Sequence, residues 1–383
     1  MQCPALPQNV VGLNRLAYVV AIVLLAGCGS SSAAARQSPA ASPTSSASPT
    51  ASPTSGTSPS AAPKPSPTPL PVGQYAVLVT QGTGDTYAVS IVGTDGRVVA
   101  SAQPSNPTQM TCGDALAAVL PVPVSTTSTR VYFLDAQGNV NFLTPNGETG
   151  HATRVPSSGN VRSMFTVSPD DRQIAVIQNT YNSSGATTVL YVEDLNGGTH
   201  HVKLYTQTGG YTLWPTGWHG GNIVLAKVPA CTQGGGPFCC GPMELHVVDA
   251  ATAARRYTLG GSQCIIAGPP TTAGVVCENT SNYSQGTVLN WTGATVRHFT
   301  IQGPVSAELS PDGTAVALSS NTGTTFEGIK RSLDLEACGW IDNQHVIAGG
   351  DTEQQPRIGD VTTGVIVAIN AQGVCGGVIP GGL

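Results

Sequence analysis

The side chains best suited to chemistry in this chain are its ten cysteines, seven histidines and twenty-one carboxylates. The histidines are scattered, and the His200-His201 pair stands at the start of a predicted outer strand. Metal chemistry would centre on "CTQGGGPFCCGP", which holds Cys231, Cys239 and Cys240. Zinc sites pair short Cys-x-x-Cys spacings, and none occurs here, so neither a metal nor another cofactor is expected. No Gly-x-Ser-x-Gly elbow, His-Glu-x-x-His, phosphate loop or dinucleotide fingerprint is present. Acid–base chemistry would have to come from Glu278, Asp351 and Glu353, the carboxylates near long polar stretches. Aromatic recognition has two sources. Tyr181-Asn182 and Asn282-Tyr283 lie in polar stretches where a ring could stack on a sugar or peptide beside amide groups. "YTLWPTGWHGGN" is read as a strand with Trp214, Thr216 and Trp218 on one face, and Pro215, lacking an N–H, suits a sheet edge.

Two phrases show what positions these residues: "SPDDRQIAVIQ" at 168–178 and "SPDGTAVALSS" at 310–320. In each, Pro presets φ, Asp can bond the backbone ahead, and Gly313 or Asp171 takes a left-handed position, so the chain turns between two strands. After the first phrase come a strand, an Asp-Leu-Asn-Gly-Gly turn and another strand, which makes a unit of four antiparallel strands. Similar hairpins recur as "YAVSIVGTDGRVVAS", "RVYFLDAQGNVNFLT", "ELHVVDAATAARRYTL", "TVLNWTGATVRHFTI" and "RIGDVTTGVIVAI", with a degraded copy near "EGIKRSLDL". Inner strands are predicted to begin near Ala115, Val161, Tyr211, Cys264, Val305 and Cys338. The spacing of roughly 35 to 50 residues is that of propeller blades. The first hairpin, within Tyr75 to Gln103, lacks an inner strand, while "GVCGGVIPGGL" is an inner strand lacking a blade. Joining them closes a ring and removes a sheet edge.

The fold class is therefore all-β: a seven-bladed β-propeller of four-stranded antiparallel sheets over residues 73–383, with six or eight blades as the alternatives. The repeat resembles TolB-type and WD-like propeller repeats, most strongly at Ser168 to Leu204 and Ser310 to Ser320. Propellers host binding proteins and enzymes alike, so the resemblance does not choose between them.

Eight cysteines lie in this domain: Cys112, Cys231, Cys239, Cys240, Cys264, Cys277, Cys338 and Cys375. An even set on an exported domain reads as disulfides. A turn centred between Pro270 and Thr271 puts Cys264 opposite Cys277. Cys338 with Cys375 would tie the last blade to the closing strand. Cys231 is expected to pair with Cys239 or Cys240, and Cys112 with whichever of those two is left over.

The address is at the other end. "LAYVVAIVLLAGCGS" holds an apolar run too short to span a bilayer and suited to a signal-peptide core. Its end, Leu25-Ala26-Gly27-Cys28, resembles a bacterial lipobox. That resemblance implies cleavage of residues 1–27 and diacylglycerol on Cys28, against the alternatives of an uncleaved anchor or an ordinary secretory signal. Residues 28–72 are almost only Ser, Ala, Pro and Thr, which cannot bury enough apolar surface to order. This tether reaches roughly 35 Å as a coil and over about 100 Å when extended. A formal charge of −5 without a basic block argues against nucleic acid.

The expected molecule is a monomer on the extracytoplasmic side of a bacterial membrane, held through the lipid on Cys28. Its expected role is non-enzymatic binding or scaffolding of a protein or envelope glycan. The alternative is a glycan lyase or hydrolase with a carboxylate-based site.

Overall fold

The computed structural model describes residues 73–80, 84–112, 116–118, 120–182, 185–197, 201–232, 242–302, 305–350 and 354–383. The segments expected to be a signal peptide and a tether, residues 1–27 and 28–72 with Cys28, lie outside the described residues, as do His200, Cys239, Cys240, Asp351 and Glu353. Every regular element among the described residues is a strand. Seven four-stranded antiparallel sheets follow one another as blades, and a small three-stranded sheet is added to them.

The first blade is built from both ends of the domain. Its order from the channel outward is Val374–Ile379, Tyr75–Val79, Val89–Gly93 and Val98–Ala102. Tyr75 stands opposite Ile379 and Val79 opposite Val374, so the strand near the C-terminus closes the ring as the pattern predicts. The remaining six inner strands are Val124–Thr126, Val161–Val167, Tyr211–His219, Cys264–Ile266, Ser306–Leu309 and Gly339–Trp340. Five of them begin within a residue or two of their predicted starts. The second blade differs: its inner strand is not at Ala115. Thr111–Cys112 instead pairs with Leu116–Ala118, which in turn pairs with Cys231–Thr232, outside the blade.

Burial explains why these segments are strands with so little alternation. Middle strands are sandwiched between neighbouring blades, so both of their faces are apolar. All five residues of Tyr75–Val79 are buried, as are all five of Val89–Gly93. The outer strand Val98–Ala102 meets solvent and buries Ala100 alone. Fully burying each Val, Ile or Leu contributes about 1.5–3 kcal/mol before entropy is counted.

The two Ser-Pro-Asp turns are built alike. Ser168 Oγ lies 2.7 Å from Asp170 Oδ1 and accepts the Gln173 N–H at 2.9 Å. Ser310 Oγ lies 2.7 Å from Asp312 Oδ1 and accepts the Ala315 N–H at 3.0 Å. Asp171 and Gly313 have φ of +59° and +74°, the left-handed position expected for both. An aspartate persists at 171 because the preceding blade bonds to it. Tyr132 and Thr129 hydroxyls donate to its carboxylate at 3.1 and 3.0 Å.

Each such blade is followed by one with a tryptophan on its inner strand. Trp218 Nε1 donates back to the Thr166 carbonyl at 3.3 Å, and Trp340 Nε1 donates back to the Glu308 carbonyl at 3.0 Å. The repeat is thus a pair of blades, third with fourth and sixth with seventh.

Three disulfides join described residues: Cys112–Cys231, Cys264–Cys277 and Cys338–Cys375. Cys231 bonds Cys112 rather than Cys239 or Cys240, because Leu116–Ala118 pairs with both their strands and brings the two thiols together. Such bonds persist in an oxidising compartment.

Candidate functional site

The inner strands surround a central cavity of about 440 Å³. Its wall includes prolines and the indoles of Trp214, Trp218 and Trp340, with Ser125, Ser163 and Thr166 as small polar groups. A cavity of this size and lining is the usual form of a ligand site. On one side of it lies the segment Pro380–Leu383. The Gly381 N–H donates to the Thr127 carbonyl at 2.6 Å, and the Leu383 N–H donates to the Trp218 carbonyl at 2.9 Å. His219 Nδ1 lies 2.7 Å from the Leu383 carbonyl oxygen and its ring stacks on Trp291 at 4.3 Å between centroids.

Both expected tryptophans line this cavity, but not from one face of their strand. A bulge at Thr216 leaves Trp214 opposite Ala226 and Trp218 opposite Ile223, partners three residues apart and so on opposite faces. Pro215 does sit on an edge strand, as its missing donor requires.

The tyrosine pair separates. The ladder between Gln173–Asn182 and Gly185–Asp194 runs out to Asn182 opposite Gly185, so Tyr181 belongs to a strand instead of a long loop. Its side chain is buried with Met110, Cys112, Ala186 and Ala230, and its hydroxyl accepts from Asn179 Nδ2 at 3.2 Å. It is not available to stack on a ligand. Asn182 stays exposed at the strand tip. Tyr283 is 63% exposed, beside Asn282, whose Oδ1 accepts the Ser284 N–H at 3.2 Å.

Of the three carboxylates considered for acid–base work, only Glu278 is described. It is partly buried, and that burial raises its pKa above the ordinary range. No group of three or more His, Cys, Asp or Glu is placed to hold a metal ion among the described residues.

Two cavity residues escaped the sequence reading. Arg162 is 7% exposed and Glu308 3% exposed, and both line the channel. The Glu308 Oε2 atom is buried without a hydrogen-bond partner, and burial pushes the carboxyl up to about 8. Burial draws the Arg162 guanidinium down to about 10, which leaves it charged at neutral pH. A signal for Glu308 did exist. Counting back two residues from each Ser-Pro-Asp turn gives Thr166 in one copy and a carboxylate in the other.

Fold and site together define a seven-bladed β-propeller with a lined central channel. No family model matches the chain, and no curated protein does. Solved structures similar to it include acylaminoacyl peptidase from Pyrococcus horikoshii, at 10% identity and a TM-score of 0.47, covering 77% of this chain and 50% of that one. BamB from Moraxella catarrhalis is 16% identical with a TM-score of 0.35, covering 81% of this chain and 88% of its own. Prolyl oligopeptidase B from Galerina marginata is 10% identical with a TM-score of 0.40, and the match spans 77% of this chain but only 40% of that enzyme. Likenesses this distant transfer no function.

Proposed function

We propose that this chain is a lipid-anchored extracytoplasmic lipoprotein whose TolB-like propeller binds a protein or envelope glycan without catalysing a reaction. The observation that carries the reading is the set of three disulfides, which suit an oxidising compartment. Export is what the lipobox-like Leu25–Cys28 would direct, and the residues 28–72 would hold the propeller clear of the membrane. A single lipid-modified cysteine adds about 0.8 kcal/mol of membrane affinity per buried methylene, so a diacylglycerol holds firmly where one chain does not.

The partner meets the face that carries the connections between second and third strands, where Tyr283 offers an exposed ring and Asn282 lies beside it. Loops on a rigid ring can vary in sequence without disturbing the core, which is why binding collects there.

The test has two arms. Metabolic labelling with a palmitate analogue should mark the wild-type chain and not Cys28→Ser; an unlabelled wild type removes the anchor. Pull-down from native membranes with the anchor retained, repeated with Tyr283→Ala, should lose the captured protein or glycan. Unchanged capture removes the loop face.

A further inference from the structure

We propose that the central channel is a second binding site, which takes a short extended peptide with both ends free, its ammonium at Glu308 and its carboxylate at Arg162. The inference does not depend on the anchor or on the loop face.

The first argument is the contrast between the two repeat copies. Thr166 and Glu308 hold equivalent places, two residues before the serine of the turn, and each gives its carbonyl to the next blade's tryptophan. In the first copy the side chain is satisfied, with Thr166 Oγ1 lying 3.4 Å from Ser125 Oγ. In the second a carboxyl replaces the hydroxyl and Oε2 has no partner. The framework therefore does not need a carboxyl there, and burying one unsatisfied costs stability. The Glu308 stem lies against Gly268 of the preceding blade, where the Ala307 carbonyl oxygen already leaves no space for a Cβ.

The second argument is Arg162. Arg162 lines the same cavity, is more than nine-tenths buried beside the Tyr87 and Tyr181 side chains, and forms no ion pair with a carboxylate among the described residues. A fixed cation so placed calls for an anion. A charged guanidinium and an unpartnered carboxyl lining one cavity call for a ligand with an anion at one end and a cationic donor at the other, the ammonium displacing the proton that burial leaves on Glu308.

Length follows from register. Arg162 stands four residues before Thr166 on its strand, which is ~13 Å of strand rise above the level of Glu308. An extended chain of about four residues spans that rise, and a cavity of about 440 Å³ accepts it. Proline and indole walls pack such a backbone, and indole faces favour an ammonium.

Titration calorimetry of the mature chain at low salt would use tetra-alanine, N-acetyl-tetra-alanine and tetra-alanine amide. Tetra-alanine is expected to bind, and each blocked peptide to bind about tenfold more weakly. Glu308→Thr, which installs the residue of the sister copy, should weaken tetra-alanine to the level of the acetylated peptide and leave the acetylated peptide unchanged. Arg162→Gln should do the same for the amide. Glu308→Gln serves if the threonine variant unfolds. Equal binding of all three peptides, or no binding at millimolar concentration, overturns the proposal, and neither result touches the labelling or Tyr283 experiments.

Discussion

Glu308 is a cost the fold carries, and its sign can be measured. Its folded pKa of about 8 lies above the ordinary 4.5. Between those values the folded chain keeps a proton that the unfolded chain releases, so this group's contribution is fully present below about pH 4.5 and is lost as pH rises towards 8. Glu308→Gln has no such dependence. Its advantage over wild type in urea denaturation should widen by a few kcal/mol between about pH 5 and pH 8; a gap that stays flat means the carboxyl ionises normally. The same scale shows where reading residues from sequence stops. Tyr181 and Tyr283 both sit among Asn and Ser, and local composition treats them alike. What separates them is how far the strand ladder runs: past Tyr181 to Asn182 in one blade, but only to Glu278 opposite Gly286 in the other, which leaves Tyr283 in the connection.

At the scale of elements, what was legible was local. A Ser-Pro-Asp turn is specified within a few residues, so both copies and their left-handed positions could be placed without coordinates. The bulge at Thr216 was not legible, because an extra residue in a strand is defined only by what lies opposite. Nor was the small sheet at Thr111–Ala118, whose partner Cys231–Thr232 is over a hundred residues away and whose bond has a sequence separation of 119. That separation also sets its worth. Closing a loop of this length removes unfolded-state entropy equivalent to about 4–5 kcal/mol in the chain-entropy model. Replacing Cys112 and Cys231 together by serine should lower stability towards that amount. The equivalent change at Cys264 and Cys277, separated by 13, should cost about 3 kcal/mol or less. Equal losses in the two variants would show that unfolded-state entropy does not set the difference.

The molecule as a whole depends on one seam. Tyr75–Val79 has Val374–Ile379 as its inner neighbour, and Cys338–Cys375 bonds that strand to the seventh blade. A chain ending at Asn370 would lose the disulfide and bare a strand whose five residues are otherwise all buried. Such a chain is expected to elute as soluble aggregate on size exclusion, with no cooperative melt. A monodisperse, cooperatively melting product would mean the other six blades hold the circle unaided. Because the seam joins residues about three hundred apart, its formation is among the slowest contacts to gain. It also sets an order of events. Three strands of the first blade leave the ribosome at the start, yet the strand that completes them arrives after every other blade has been made. Throughout synthesis, the earliest part of the domain must wait with an open flank for the latest, so a chain stalled or clipped before that last strand would present other proteins with an unmated ribbon.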